Sequence, residues 1–126
     1  MSAADKRLER LQSIAGALAD QALQPVVAAT ANVRRIEGRI AAIAAHRKQL
    51  AASTSDATIA GAMLSQAERL RRTQAEALTA LASARVALEV ARRSAAKAVG
   101  RDQALTEIAK RRKAAELLEA RRRLLR

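Results

Sequence analysis

Apolar residues recur along this chain in steps of three and four, and almost nothing interrupts them. Leu8, Leu11, Ala15, Leu18 and Ala22 step in this way, and so do Val33, Ile36, Ile40 and Ile43, with Leu50 in phase. Such alternation is the a/d seam of a coiled coil, because 3.5 residues per repeat keeps one stripe of a helix facing its partner. It predicts a first helix over about 5–52, with a change of phase between Ala29 and Val33. Pro25 lacks a backbone donor and its ring crowds the preceding turn, which predicts a kink or short break around Leu23–Val26. A full stop there, giving three helices, stays open. The credible turn is Ala52-Ser53-Thr54-Ser55-Asp56, since Ser, Thr and Asp side chains compete with helical hydrogen bonds and cap helix starts. Ser55 or Asp56 is the expected cap of a second helix over about 57–126. Along it Ile59, Met63, Leu70, Ala77, Leu81, Ala84, Leu88, Ala91, Ala95, Ala98 and Leu105 keep the same stepping. Glu68–Arg72, Glu89–Arg93, Glu107–Arg111 and Glu119–Arg123 are spaced to pair across one turn of a solvated face.

Two long helices joined by a short link must lie antiparallel. The expected fold is all-α, a single coiled-coil hairpin whose second helix is the longer. Reflection about residue 54 pairs the first helix with the second as far as about Asp102. The last twenty-odd residues then overhang, and the hairpin is a rod with its tip at one end and both termini at the other.

Composition agrees with a thin seam. Of 126 residues, 34 are Ala and none is Phe, Trp or Tyr, so the large rings that fill thick cores are missing. Ala, Glu, Lys, Leu and Arg dominate, as they do in long helices. Leu, Ile and Val together are only 27 and the net charge is +12, a balance that keeps disorder of the unbound chain open as a rival. Without Cys there is no disulfide framework, thiol nucleophile or Cys-based zinc site. The opening MSAADKRLERL lacks a signal-like or membrane-spanning apolar run, so a cytoplasmic protein with no membrane insertion is expected.

Catalytic chemistry finds no foothold in this pattern. His46 is the one histidine, the carboxylates are scattered beside basic residues, no Gly-rich phosphate loop occurs, and a two-helix seam offers no dry pocket. The expectation is a protein that is not an enzyme and holds no metal or cofactor. The basic charge is the clearer signal. From Arg101 to Arg126 there are nine basic and four acidic residues, a net of +5, with the clusters Lys110-Arg111-Arg112-Lys113 and Arg121-Arg122-Arg123. Nucleic acid, an anionic membrane surface and an acidic protein partner all fit such charge. The first lacks a recognised motif and stacking rings, and the second lacks a stripe of bulky anchors. A solvated helix end without any partner also stays open.

The stretch Ala95-Ala-Lys-Ala-Val-Gly-Arg-Asp-Gln-Ala-Leu-Thr-Glu-Ile-Ala-Lys-Arg-Arg112 resembles the C-terminal helix of FliJ/YscO-type stalk proteins of flagellar and type III secretion export systems, and Arg7–Leu23 resembles that family's opening helix. The resemblance implies a non-enzymatic central stalk. Its basic termini end would enter a hexameric export ATPase ring, as the γ subunit does in rotary ATPases, with Arg101, Lys110, Arg111, Arg112 and Arg122 as ring contacts. Its tip would face an export gate protein, with Gln49, Leu50, Ser53 and Asp56 among the contacts. Export chaperones are further implied partners, and the implied place is the cytoplasm, peripheral at the inner-membrane secretion apparatus. Members of the family carry a few contact-surface aromatics that this chain lacks. The rival readings are a basic coiled-coil adaptor, self-associating through its seam, and a nucleic-acid-associated helical protein. For Gly100, the expectations are close approach of the first helix or a bend.

Overall fold

The computed structural model describes residues 2–53 and 57–126, with the side chains of Ala57 and Thr58 left aside. It consists of two α-helices, α1 over Ala3–Ala52 and α2 over Ala57–Leu124, that pack on each other as an all-α helical hairpin. The expected caps Ser55 and Asp56 lie outside the described residues.

The ends of α1 are closed by side chains. Ser2 and Asp5 form a capping box: the Asp5 N–H donates to Ser2 Oγ at 3.2 Å, and the Ser2 N–H donates to Asp5 Oδ2 at 3.2 Å. Each side chain thereby satisfies a backbone donor that the first turn leaves unpaired. The helix therefore starts slightly earlier than the apolar stepping indicates. At its other end the Ser53 N–H donates to the Gln49 carbonyl at 3.0 Å. The Ser53 hydroxyl lies 3.1 Å from the carbonyls of Gln49 and Leu50, orphan acceptors of the last turn. Arg121, Arg122 and Arg123 occupy the last turn of α2, where cations offset the negative end of the helix dipole.

Pro25 does not break α1, and the chain stays helical across it. Its ring lies on an exposed face, while Ala22 and Val26 on either side are half-buried. The lost donor is thus tolerated within a helix that is held by packing on another face.

Burial corrects the seam. On α1 the seam row is Asp5, Leu8, Gln12, Ala15, Ala19, Ala22, Val26, Ala29, Val33, Ile36, Ile40, Ile43 and Leu50, one heptad register with no change of phase, and Gly16 and Thr30 are half-buried beside it. Leu11 and Leu18, expected inside, are each 51% exposed. The reason lies in Val33–Ile43, whose bulky side chains fix the phase. Their seven-residue repeat, run backwards, reaches Ala19 and Gln12 rather than Leu18 and Leu11. On α2 the expected row is found from Met63 to Leu105, with Ala67, Gln74, Asp102, Ala109 and Arg112 completing it. Ile59, expected at its head, is 52% exposed.

The pairing is also shifted. Reflection about residue 54 sets Asp5 opposite Gln103, yet Asp5 meets Arg112, more than two turns further on. A Cβ at Gly16 would likewise meet Asp102, eight or more residues further on than reflection gives, so here the helices themselves are displaced along each other, beyond the one position or so that leaning side chains supply. The unpaired end of α2 is correspondingly shorter, and residues 113–126 are all exposed.

The hairpin divides into two compact units, a terminal unit of Met1–Val26 with Ala91–Arg126 and a connecting unit of Val27–Val90. In the connecting unit Val33, Ile36 and Ile43 of α1 are buried with Ala77, Leu81, Ala84 and Leu88 of α2. In the terminal unit the buried side chains are Ala15, Ala19 and Ala95. Gly100, expected at a close approach, has open space where a Cβ would stand; at Gly16, by contrast, a Cβ would stand 3.7 Å from Asp102 Oδ1 of the partner helix.

Candidate partner-binding surfaces

The terminal unit carries fifteen basic and seven acidic residues, a net of +8, against nine and five, a net of +4, in the connecting unit. Its five expected contact cations are not equivalent. Arg112 turns inward: its Nη2 is 3.1 Å from Asp5 Oδ1, and both side chains are partly buried. Asp5 is thus shared between the cap of α1 and an ion pair to α2. The Ser2 hydroxyl, at 2.8 Å, and the Ser2 N–H hold its carboxyl below the ordinary value of 3.8, burial opposes them, and Arg112 helps to a smaller degree. Arg111 bridges to Glu107 at 3.5 Å across one turn. Lys110 and Arg122 are exposed on α2 and make no ion pair among the described residues. Arg101 differs again, since it lines an open groove between α1 and α2 with Leu11, Ile14, Leu18, Ala98, Ala104 and Leu105.

The expected pairs Glu68–Arg72 and Glu107–Arg111 on α2 both approach to 3.5 Å. Glu68 also takes two hydrogen bonds from Arg71, at 2.8 and 3.0 Å. These bonds draw the Glu68 carboxyl below its usual range and raise the Arg71 guanidinium.

The connecting unit presents the residues expected to meet a gate. Gln49 and Ser53 are exposed, Leu50 is half-buried as the last seam position of α1, and Asp56 lies outside the described residues. Polar cross-links join the helices nearby: Arg47 donates to the Gln74 side chain, and the Gln66 amide approaches His46 Nε2 at 3.4 Å. Arg85 and Glu37 approach to 3.9 Å, both largely solvated. Among the described residues no cluster of His, Asp and Glu is arranged to hold a metal ion, and no helix is long and apolar enough to cross a membrane.

Sequence reasoning missed the exposed apolar row of the terminal unit, because it counted Leu11 and Leu18 as seam. The signal was present: extending the Val33–Ile43 heptad backwards would have placed these leucines outside. Compared with known protein families, curated proteins and solved structures, the chain matches none of them.

Proposed function

We propose that this protein is a non-enzymatic central stalk of FliJ/YscO type in a type III secretion or flagellar export apparatus, working in the cytoplasm at the inner-membrane machinery. The supporting observation is the concentration of cationic charge in the terminal unit of a helical hairpin, +8 over Met1–Val26 and Ala91–Arg126. Complementary charge speeds encounter and sets register between partners, and a hexameric export ATPase whose entrance is acidic is the partner this unit fits. Lys110, Arg122 and Arg101 are the contacts that α2 offers without first breaking an ion pair. Arg111 and Arg112 contribute to the field while bound to Glu107 and Asp5. The connecting unit, with Gln49, Leu50, Ser53 and Asp56, faces the export gate protein in this reading, and export chaperones are further partners.

The test is reconstitution with the export ATPase encoded in the same genome. The chain should raise its hexamer-dependent ATP hydrolysis, and K110E/R122E should abolish the gain while leaving the helical circular dichroism unchanged. No stimulation and no complex at moderate salt would end the stalk reading. Recovery of nuclease-sensitive nucleic acid instead, with binding that collapses as salt rises, would replace it with the nucleic-acid reading.

A further inference from the structure

The seam of the terminal unit has two sides of opposite character. One is lined by Asp5, Glu9, Gln12, Arg112, Lys113 and Glu116, a polar side in which Arg112 is already paired with Asp5. The other is apolar. Leu11, Ile14 and Leu18 stand on α1 in an i, i+3, i+7 row, 51%, 57% and 51% exposed, beside Ala98, Ala104 and Leu105 of α2. Because the seam beneath them is alanine, these larger side chains form the wall of an open groove of about 420 Å³. A second stretch of about 490 Å³ shares Leu18, Ala98 and Arg101 and carries the groove on to Pro25, Ser94 and Lys97.

The groove's charges have a single sign. Arg101 and Lys97 line it, no carboxylate does, and neither cation has an ion-pair partner among the described residues. Arg7 and Arg10 lie one turn before Leu11 and Ile14 on the same face of α1. A concave channel between two helices accepts the ridge of a third helix, whose apolar anchors recur at the same spacing. A flat bilayer surface does not enter such a channel, and a second copy would bring another +8 unit against this one. A cationic rim instead selects negative charge beside the anchors. We propose that this groove docks an acidic amphipathic helix of a partner protein, its apolar stripe on Leu11, Ile14, Leu18 and Leu105 and its flanking carboxylates on Arg101 and Lys97. The groove works in this way whether or not the chain serves an ATPase.

The test uses the full chain and two labelled helical peptides with leucines at three- and four-residue spacing, one flanked by Glu and the other by Lys, followed by fluorescence anisotropy at about 0.15 M salt. The Glu-flanked peptide should bind and the Lys-flanked one should not. L18E and R101E should each weaken binding by about tenfold or more, while E9K on the polar side should leave it unchanged. Both substituted groove residues are exposed, so circular dichroism should show intact helices. Equal binding of the two peptides, or no loss with L18E, would overturn the proposal. So would sedimentation as a dimer that L18E dissociates, which would make a second copy the occupant. Groove-dependent pelleting with phosphatidylserine vesicles would overturn it in favour of a membrane surface. None of these outcomes depends on ATPase stimulation, so the stalk reading and the groove can fail separately.

Discussion

Between Val27 and Val90 the buried positions are Val33, Ile36 and Ile43 on α1, with leucines and alanines alternating on α2; between Ala91 and the chain's end, and before Val26, they are Ala15, Ala19 and Ala95. On α1 the same heptad positions thus hold large branched side chains in one unit and methyl groups in the other. A buried Leu or Ile side chain contributes about 1.5–3 kcal/mol of hydrophobic free energy, whereas an alanine methyl contributes roughly one CH₂, about 0.8 kcal/mol. The connecting unit therefore buries Val33, Ile36 and Ile43 of its α1 repeat, although Val27, Leu64, Val86 and Val90 outside that repeat stay exposed. The terminal unit leaves Leu11, Ile14, Leu18 and Ile108 outside, where a partner can cover them. On α1 the bulky residues fall on the repeat at Val33, Ile36 and Ile43 and off it at Leu11, Ile14 and Leu18, which leaves an apolar row beside a thin alanine seam.

Truncating the connecting core is the most severe way to break this contrast. Ile36→Ala or Ile43→Ala should cost about 2–4 kcal/mol in urea unfolding followed by circular dichroism, through lost transfer energy plus a cavity. Leu18→Ala, at an exposed site, should cost no more than about 0.5 kcal/mol. Equal costs would mean that the leucine is inside after all. Overfilling the alanine seam comes next. Ala19→Leu should destabilise by about 1–3 kcal/mol, because a 5% exposed methyl leaves no room for three more carbons without backbone shifts. If it instead stabilised the chain, the alanines would be spacers rather than contacts.

A gain of about 0.5–1 kcal/mol is expected for Gly100→Ala, since open space awaits the Cβ and the glycine carries excess unfolded-chain entropy. Gly16→Ala should gain less, for its methyl would stand 3.7 Å from Asp102 Oδ1. The smallest effect concerns Asp5. Its folded carboxyl titrates below the ordinary 3.8, so its contribution is present above that pH and is lost as pH falls through the lower folded value. An NMR titration should show Ser2→Ala raising this value more than Arg112→Ala does, because the serine bonds are the larger cause.

The candidate surfaces were legible only in part. Lys110 and Arg122 read from the sequence as exposed cations, and exposed they are. Arg112 read the same way, but its engagement with Asp5 depends on how far α1 runs alongside α2, which reflection about the turn misjudged. The capping box was written openly in Ser2-Ala-Ala-Asp5 and was overlooked because the apolar stepping begins later.

Two long helices follow from the sequence by itself. Alanine-rich composition, absent aromatics and scarce Gly and Pro leave a three-four repeat as the only way to bury apolar surface, and a short Ser/Thr/Asp link makes the helices antiparallel. Pairing belongs to tertiary structure, and the phase of 8–22 is not set by those residues themselves. Over 8–22 two rows are equally periodic, Leu8-Leu11-Ala15-Leu18-Ala22 and Leu8-Gln12-Ala15-Ala19-Ala22, and local propensity cannot separate them. Only packing of Val33, Ile36 and Ile43 against α2 selects the second, because one helix keeps one register and the bulkiest side chains have the most free energy to lose by turning outward.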